Sequence, residues 1–274
     1  MDKHCFAICA YQESPYLEKC ILSILSQSVK SSILICTSTP NEHIKNIANK
    51  YGIRLIINPD RLGIQSDWKF AYNACDAEYV TLVHQDDIYD SIYTQKLFKA
   101  IDKYDDISIF YSNYDSLHTT LEKENRCRDI NCKIRNMLCI PMIFPILQNK
   151  RFWKKITLSL GCSICCSSVT YNRKKLKSKD VFISSMKSSL DWDIFLHLAN
   201  MSGRFVYERK TLMCFRIHEK STSMNCIVDN VREKEDYQMF CKIWPKSIAR
   251  FLMVFYKKAY NNYTHLVKGE KNEM

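Results

Sequence analysis

The sequence predicts an α/β fold in which a mostly parallel sheet is flanked by helices and followed by a helical extension. Three features of the 274-residue chain point there. Short apolar runs alternate with segments of helical periodicity through the first third, those runs end in polar or acidic residues, and Gly and Pro number only 5 and 6. A hydrophobic content of 46% can bury a sizeable core in one domain with an appendage.

Cys5 to Ala10 reads as a strand, and Tyr16 to Gln27 places Leu17, Cys20, Ile21, Ile24 and Leu25 at helical spacing. Ser32 to Thr37 is a second strand. Pro40-Asn41 then supplies the turn and cap of a helix over Asn41 to Tyr51, which Gly52 stops. Arg54 to Asn58 is a third strand, Ile64 to Ala74 a third helix, and Tyr79 to His84 a fourth strand that ends abruptly in Gln85-Asp86-Asp87. Right-handed crossovers make these strands parallel, and ligands of such sheets bind beyond the carboxyl ends of the strands. That rule selects Ala10 to Glu13, Thr37 to Thr39, Pro59 to Gly63 and His84 to Asp87. In the less regular later half, Leu160 to Cys166 reads as a buried strand. Ser189-Leu190-Asp191-Trp192-Asp193 opens a helix, and Leu212 to Ile217 forms a strand leading into a polar loop.

Adjacent carboxylates at the end of an apolar strand repel each other and need compensation. Asp86-Asp87 therefore reads either as a divalent-metal or ribose-contacting site, or as a helix cap. The net charge of +11 suits any polyanion, and most of the excess lies in Arg126 to Lys179 and Lys242 to Lys271. Nucleic acid is the poorer fit, because acidic residues at the strand ends would repel a phosphate backbone and no binding motif is present. The fourteen cysteines occur without an apolar signal-peptide core, so reduced thiols and a cytoplasmic location are expected. No apolar run is long enough to span a bilayer. Met137 to Lys155 and Trp244 to Lys258 are both apolar and basic. They suit either peripheral contact with an anionic membrane, at the inner face of the plasma membrane, or packing on the core.

Phe6-Ala7-Ile8-Cys9-Ala10-Tyr11-Gln12-Glu13, Leu62-Gly63 leading to Asn73, and Tyr79 to Asp87 resemble, in order and spacing, the nucleotide-binding half of family 2 GT-A glycosyltransferases. The resemblance runs from about residue 4 to residue 225. It implies a nucleotide-diphospho-sugar transferase-like GT-A domain over 1–225, split into a nucleotide-sugar half (1–115) and an acceptor and catalytic half (116–225), with a helical extension over 226–274. It also implies a nucleotide-sugar site formed by Ala10, Tyr11, Glu13, Thr37, Arg61, Gly63, His84, Gln85 and Asp86. Where the family carries Asp-X-Asp, this chain reads His84-Gln85-Asp86. Asp86 therefore takes the metal-contacting position, and His84 is left to ribose or diphosphate. Many members place an Asp after the second strand to bond uracil. Here Cys36-Thr37-Ser38-Thr39 stands there, with Asp60 or Arg61 as substitutes, so a UDP-sugar is expected first and a dTDP-sugar second.

Asp191 matches the general base of inverting members, with Leu190 in place of the family's Glu and Asp193 as the fallback base. Phe215-Arg216-Ile217-His218 and the following Ser221 and Ser223 resemble a segment that completes the metal or diphosphate site. Asp86 and His218 are then the ligands expected for Mn²⁺ or Mg²⁺, and Arg216, His218, Ser221 and Ser223 are expected at the diphosphate. Gly161, Trp192 and Asp193 fall where the resemblance implies the sugar and acceptor pocket. The activity implied is inverting transfer of a sugar to a hydroxyl of a glycan or lipid-linked acceptor, in surface polysaccharide synthesis. The alternative is a catalytically inactive sugar-nucleotide-binding or partner-binding protein of the same fold, which His84 and Leu190 favour.

Overall fold

A computed structural model describes residues 2–119, 124–176, 181–218 and 231–268, with side chains through 257. The first half is a run of βα units: β1 (Asp2–Ala10), α1 (Leu17–Leu25), β2 (Ser32–Thr37), α2 (Glu42–Lys50), β3 (Arg54–Ile57), α3 (Ile64–Ala74) and β4 (Ala77–His84). Each expected element of that half is present, to within a few residues at its ends. Asn41 caps α2 by accepting the Ile44 N–H at 2.9 Å, and Gly52 ends the unit at φ +61°, a conformation that favours glycine.

The chain continues through β5 (Ile88–Tyr89), α4 (Tyr93–Lys103), β6 (Ile107–Thr119), β7 (Glu124–Cys127), α5 (Ile130–Leu138), α6 (Arg151–Thr157), β8 (Thr170–Asn172), α7 (Arg173–Leu176), α8 (Leu190–Asn200) and β9 (Arg204–Ile217). Two C-terminal helices follow, α9 (Val231–Ile243) and α10 (Lys246–Lys268). Among the described residues the strands join one sheet in the order β3-β2-β1-β4-β8-β6-β9-β5, with β7 against β6. β3, β2, β1 and β4 are mutually parallel, and β6 runs parallel to β9. The short β8 is inserted antiparallel between β4 and β6, and it is this strand that carries the sheet from the first half into the second.

Leu160 to Cys166 is not the strand expected. It is irregular and ends in a 3-10 turn over Cys166–Ser168, yet Cys162, Ile164 and Cys165 are buried. Apolar content there reports burial, which a packed loop achieves as well as a strand.

The core lies on both faces of the sheet. On one face Phe6, Ile8, Ile21, Ile24, Val83 and Leu97 pack α1 and α4 onto the strands, and on the other Ala71, Tyr72, Trp192, Phe195, Leu198 and Phe240 bring in α3, α8 and α9. Full burial of side chains of this size contributes ~1.5–3 kcal/mol each, which fixes the strand ends as a rigid rim. The helical extension is part of this core: Met239, Phe240, Ala249 and Met253 are buried in it.

Candidate active site

The carboxyl ends of β1, β2 and β4 converge as the parallel topology requires. Gln85 bridges two of them, its amide donating to the Tyr11 carbonyl at 2.8 Å and accepting the Tyr11 N–H at 2.9 Å. Ala10 is buried just before this bridge, and the Tyr11 side chain and Glu13 are exposed beyond it. Gln12 takes a positive φ of 52° and donates its N–H to Thr39 Oγ1 at 2.6 Å, locking the first rim to the second. Thr37 is buried and accepts the Thr39 N–H at 3.1 Å. Arg61 and Gly63 lie exposed at the third rim, where Gly63, at φ +91°, starts α3.

A carboxylate from α3 lies beside the ends of β2 and β3. Asp67, one turn into α3, accepts from Ser38 Oγ at 3.0 Å and from Asn58 Nδ2 at 2.9 Å. Sequence reasoning overlooked it because it lies inside a helix, away from any strand end; Asp in a helix's first turn was the available signal. Trp68, the next residue, stacks on the His84 ring at 5.3 Å with planes 22° apart.

The Asp86-Asp87 turn is held from behind by β9. The Arg216 N–H donates to Asp87 Oδ1 at 2.9 Å, and the fully buried Arg216 guanidinium donates to the Asp86 carbonyl at 2.8 Å, Thr119 Oγ1 at 2.6 Å and Glu124 at 2.8 Å. That guanidinium also lies 4.3 Å over the Tyr16 ring. The structure thus gives Arg216 to the back of the acidic turn. His218, two residues on, reaches the front: its Nε2 is 3.1 Å from Asp86 Oδ2, and its ring meets Tyr16 at 5.0 Å. Ser221 and Ser223 lie outside the described residues.

These contacts separate the two carboxyls electrostatically. Burial opposes ionisation of Asp86, but the His218 hydrogen bond and the charges of His84 and His218 hold its pKa below the usual carboxylate value. Asp87 is pushed up to about 7 by burial and then by the charge of Asp86. At His84, burial opposes the charged ring, yet Cys166, Asp87 and Asp86 override it and raise the pKa to about 10. His84 Nδ1 also lies 3.1 Å from Ser167 Oγ, and Cys166 Sγ is 4.0 Å from both ring nitrogens.

Asp191 sits at the start of α8, half-buried. Asp191 Oδ1 accepts the Trp192 N–H at 2.8 Å, and Oδ2 lies 3.5 Å from the Cys162 thiol. Burial, then the charge of Cys166, raises its pKa to about 6, against the opposing pull of Arg232 and Arg135. Asp193 faces inward instead, paired with Lys242 at 2.6 Å and accepting from Ser184 Oγ at 2.8 Å. Trp192 is buried, with its Nε1 donating to the Leu158 carbonyl at 2.9 Å and its ring against Phe240 and Tyr256. At Gly161, φ is +142° and the space a Cβ would need is filled by the Tyr256 ring. The close approach foreseen there is made by α10 of the same chain.

The Glycosyl transferase family 2 profile matches residues 5–175, which contain the three converging rims, the acidic turn and Cys166. The chain belongs to glycosyl transferase family 2. It is a glycosyltransferase with the GT-A fold. Among solved structures, the mannosyltransferase PcManGT of Pyrobaculum calidifontis, in complex with GDP-Man and Mn²⁺, is similar at 13% identity and a TM-score of 0.63, over 97% of this chain and 70% of that one. TarS 1–349 of S. aureus in complex with UDP-GlcNAc is similar at 12% identity and a TM-score of 0.59, over 92% and 70%. No curated protein resembles the glycosyltransferase closely enough in sequence to count as a match.

Among the described residues no three metal-ligating side chains converge. Asp86 and His218 nonetheless bring a carboxylate oxygen and an imidazole nitrogen to one point. Such a donor set fits a divalent cation that takes its remaining ligands from phosphate and water.

Proposed function

We propose that this glycosyltransferase moves one sugar from a nucleoside-diphosphate sugar, a UDP-sugar first, onto a hydroxyl of a glycan or lipid-linked acceptor, with inversion at the anomeric carbon. The observation that carries the reading is Asp191, a half-buried carboxyl at a helix start whose Oδ2 lies 3.5 Å from the Cys162 thiol and whose pKa, raised by burial to about 6, leaves it a base at neutral pH. A general base works best when its pKa lies near the operating pH. In the reaction Asp191 takes the proton of the acceptor hydroxyl as its oxygen attacks the anomeric carbon, and the bond to the diphosphate oxygen breaks on the opposite side.

His84, Asp86 and His218 serve the leaving diphosphate. Asp86 and His218 would hold Mn²⁺ or Mg²⁺, which when bound supplies positive charge to the departing phosphates. Arg216 maintains the backbone of the acidic turn from behind. Asp67, Ser38 and Asn58 supply a polar edge for the base in place of the Asp absent after β2.

The test is donor hydrolysis across UDP-, dTDP- and GDP-sugars with Mn²⁺, Mg²⁺ or EDTA, for wild type and Asp191→Asn. Release of one diphosphate, reduced ~10²–10⁴-fold in the variant while nucleotide binding persists, is expected. Equal turnover by wild type and Asp191→Asn would remove Asp191 from the chemistry.

A further inference from the structure

The structure carries an apolar surface that the transfer reaction leaves unused. On α5, Ile130, Ile134 and Met137 recur at i, i+4 and i+7 and are 62%, 46% and 58% exposed. The chain then adds Ile140, Phe144 and Ile146, at 48%, 54% and 75%. Isolated apolar side chains on a surface are ordinary, but six exposed ones within seventeen consecutive residues make an apolar ridge along this stretch of chain.

Along the chain, positive charge dominates between Asp129, which caps α5, and Asp180. Residues 130–179 contain eleven Lys and Arg and no Asp or Glu. Lys133, Lys150, Arg151 and Lys155 are exposed and form no ion pair among the described residues. Lys154 differs: it is buried and donates to the Met201 and Gly203 carbonyls at 2.8 and 3.0 Å, so it belongs to the fold. No described helix is long and apolar enough to cross a membrane. Protruding apolar side chains flanked by cations, on a short amphipathic helix, are complementary to a surface that offers hydrocarbon below and phosphate above.

We propose that the face formed by α5 and the segment through Ile146 rests on an anionic phospholipid bilayer. The same segment borders the acceptor side of the molecule. Buried Cys139, just past α5, contacts the Ser163 carbonyl at 3.7 Å, and the neighbouring Cys162 thiol lies 3.5 Å from Asp191 Oδ2. Docked in this way, the enzyme presents Asp191 toward hydroxyls borne on lipid. This part of the proposal rests on the transferase reading, whereas bilayer binding itself does not.

The experiment is sedimentation of the full chain with vesicles of phosphatidylglycerol and phosphatidylcholine, and with phosphatidylcholine alone. Wild type is compared with Ile134→Glu/Met137→Glu, Lys133→Glu and Phe251→Glu/Phe255→Glu, and donor hydrolysis is measured in parallel. Wild type is expected on the anionic vesicles, with release at high salt. Ile134→Glu/Met137→Glu should bind at least tenfold more weakly and Lys133→Glu roughly thirtyfold more weakly, both with unchanged donor hydrolysis and unchanged Tm. No binding by wild type, equal binding by the α5 variants, or loss confined to the α10 variant Phe251→Glu/Phe255→Glu would overturn the proposal. A wild-type dimer that Ile134→Glu/Met137→Glu converts to monomer without loss of vesicle binding would also overturn it, by assigning the ridge to a second copy.

Discussion

Glu235 is the residue whose removal should be felt farthest from where it sits. From α9 its carboxylate accepts three backbone N–H groups, Lys187 at 2.8 Å, Ser188 at 2.7 Å and Ser189 at 2.9 Å, while its neighbour Asp236 accepts the Ser189 hydroxyl at 2.6 Å. These are the residues that lead into α8, and Asp191 follows two positions later. In Glu235→Gln the single amide oxygen can serve the Ser188 and Ser189 donors only by turning the NH₂ group onto the Lys187 N–H. One donor then loses its partner, and the charge assistance at the other two disappears. An unsatisfied donor costs about 1–3 kcal/mol when buried, the low end applying at the exposed Lys187, and hydrogen bonds to a charged acceptor are roughly twice as strong as neutral ones, so a loss of ~2–3 kcal/mol is expected. At ~2–4 °C per kcal/mol for a domain near this size, Tm should fall by roughly 4–12 °C. Thermal unfolding at pH 7 measures that loss. Steady-state kinetics below the transition should show kcat falling more than the donor KM rises, because the displaced group is Asp191 and the β4 rim is untouched. A Tm within about 2 °C of wild type, with kcat unchanged, would refute the claim that α9 positions the start of α8.

The pH dependence follows from Asp191, whose folded-state pKa of about 6 leaves it ionised and basic above that value. Activity should be flat from pH 7 to 8 and fall tenfold per unit below about 6, and a profile flat to pH 5 would exclude it as the base. Asp86→Asn and His218→Ala should each weaken Mn²⁺-dependent nucleotide binding in calorimetric titration, and wild-type affinity that is equal in EDTA would show that no cation takes part. Gly161→Ala forces a side chain into both a φ of +142° and the Tyr256 ring. It should cost at least ~1–3 kcal/mol, and denaturation at wild-type midpoint would show that the loop relaxes freely.

The first half of the fold was legible because every βα unit carries both of its signals: an apolar run ending in a polar rim, and a helix whose buried positions repeat as in Leu17, Cys20, Ile21 and Ile24. The acidic turn and Asp191 were legible as residue types at strand and helix ends, and so was the pairing of His218 with Asp86. The role of Arg216 was not. A basic residue beside His218 reads as an anion contact, and only β9 lying parallel to β6 turns its guanidinium behind the Asp86 carbonyl. Asp67 was hidden for a related reason: its partners Ser38 and Asn58 come from two other strand ends, and no spacing along the chain records that meeting. Gly161 was read as leaving room for a ligand, when the group that needs the room is Tyr256, far later in the chain.

The helices after residue 230 are therefore more than an appendage to a glycosyltransferase domain. α9 holds the entry to α8 through Glu235 and Asp236, and Lys242 pairs with Asp193 two residues past Asp191. Tyr256 of α10 fills the space beside Gly161, whose neighbour Cys162 touches Asp191. Asp191 is thus gripped through the segment before it, through Asp193 in its own helix and through the loop beside it, by residues beyond the segment that matches the family profile. The donor rims are complete within residues 2–119, apart from the contacts Arg216 and His218 bring to the acidic turn and those Cys166 and Ser167 bring to His84. Sequence change in α9 and α10 can in this way shift the Asp191 carboxyl while the rims at the ends of β1, β2 and β4 stay as they are.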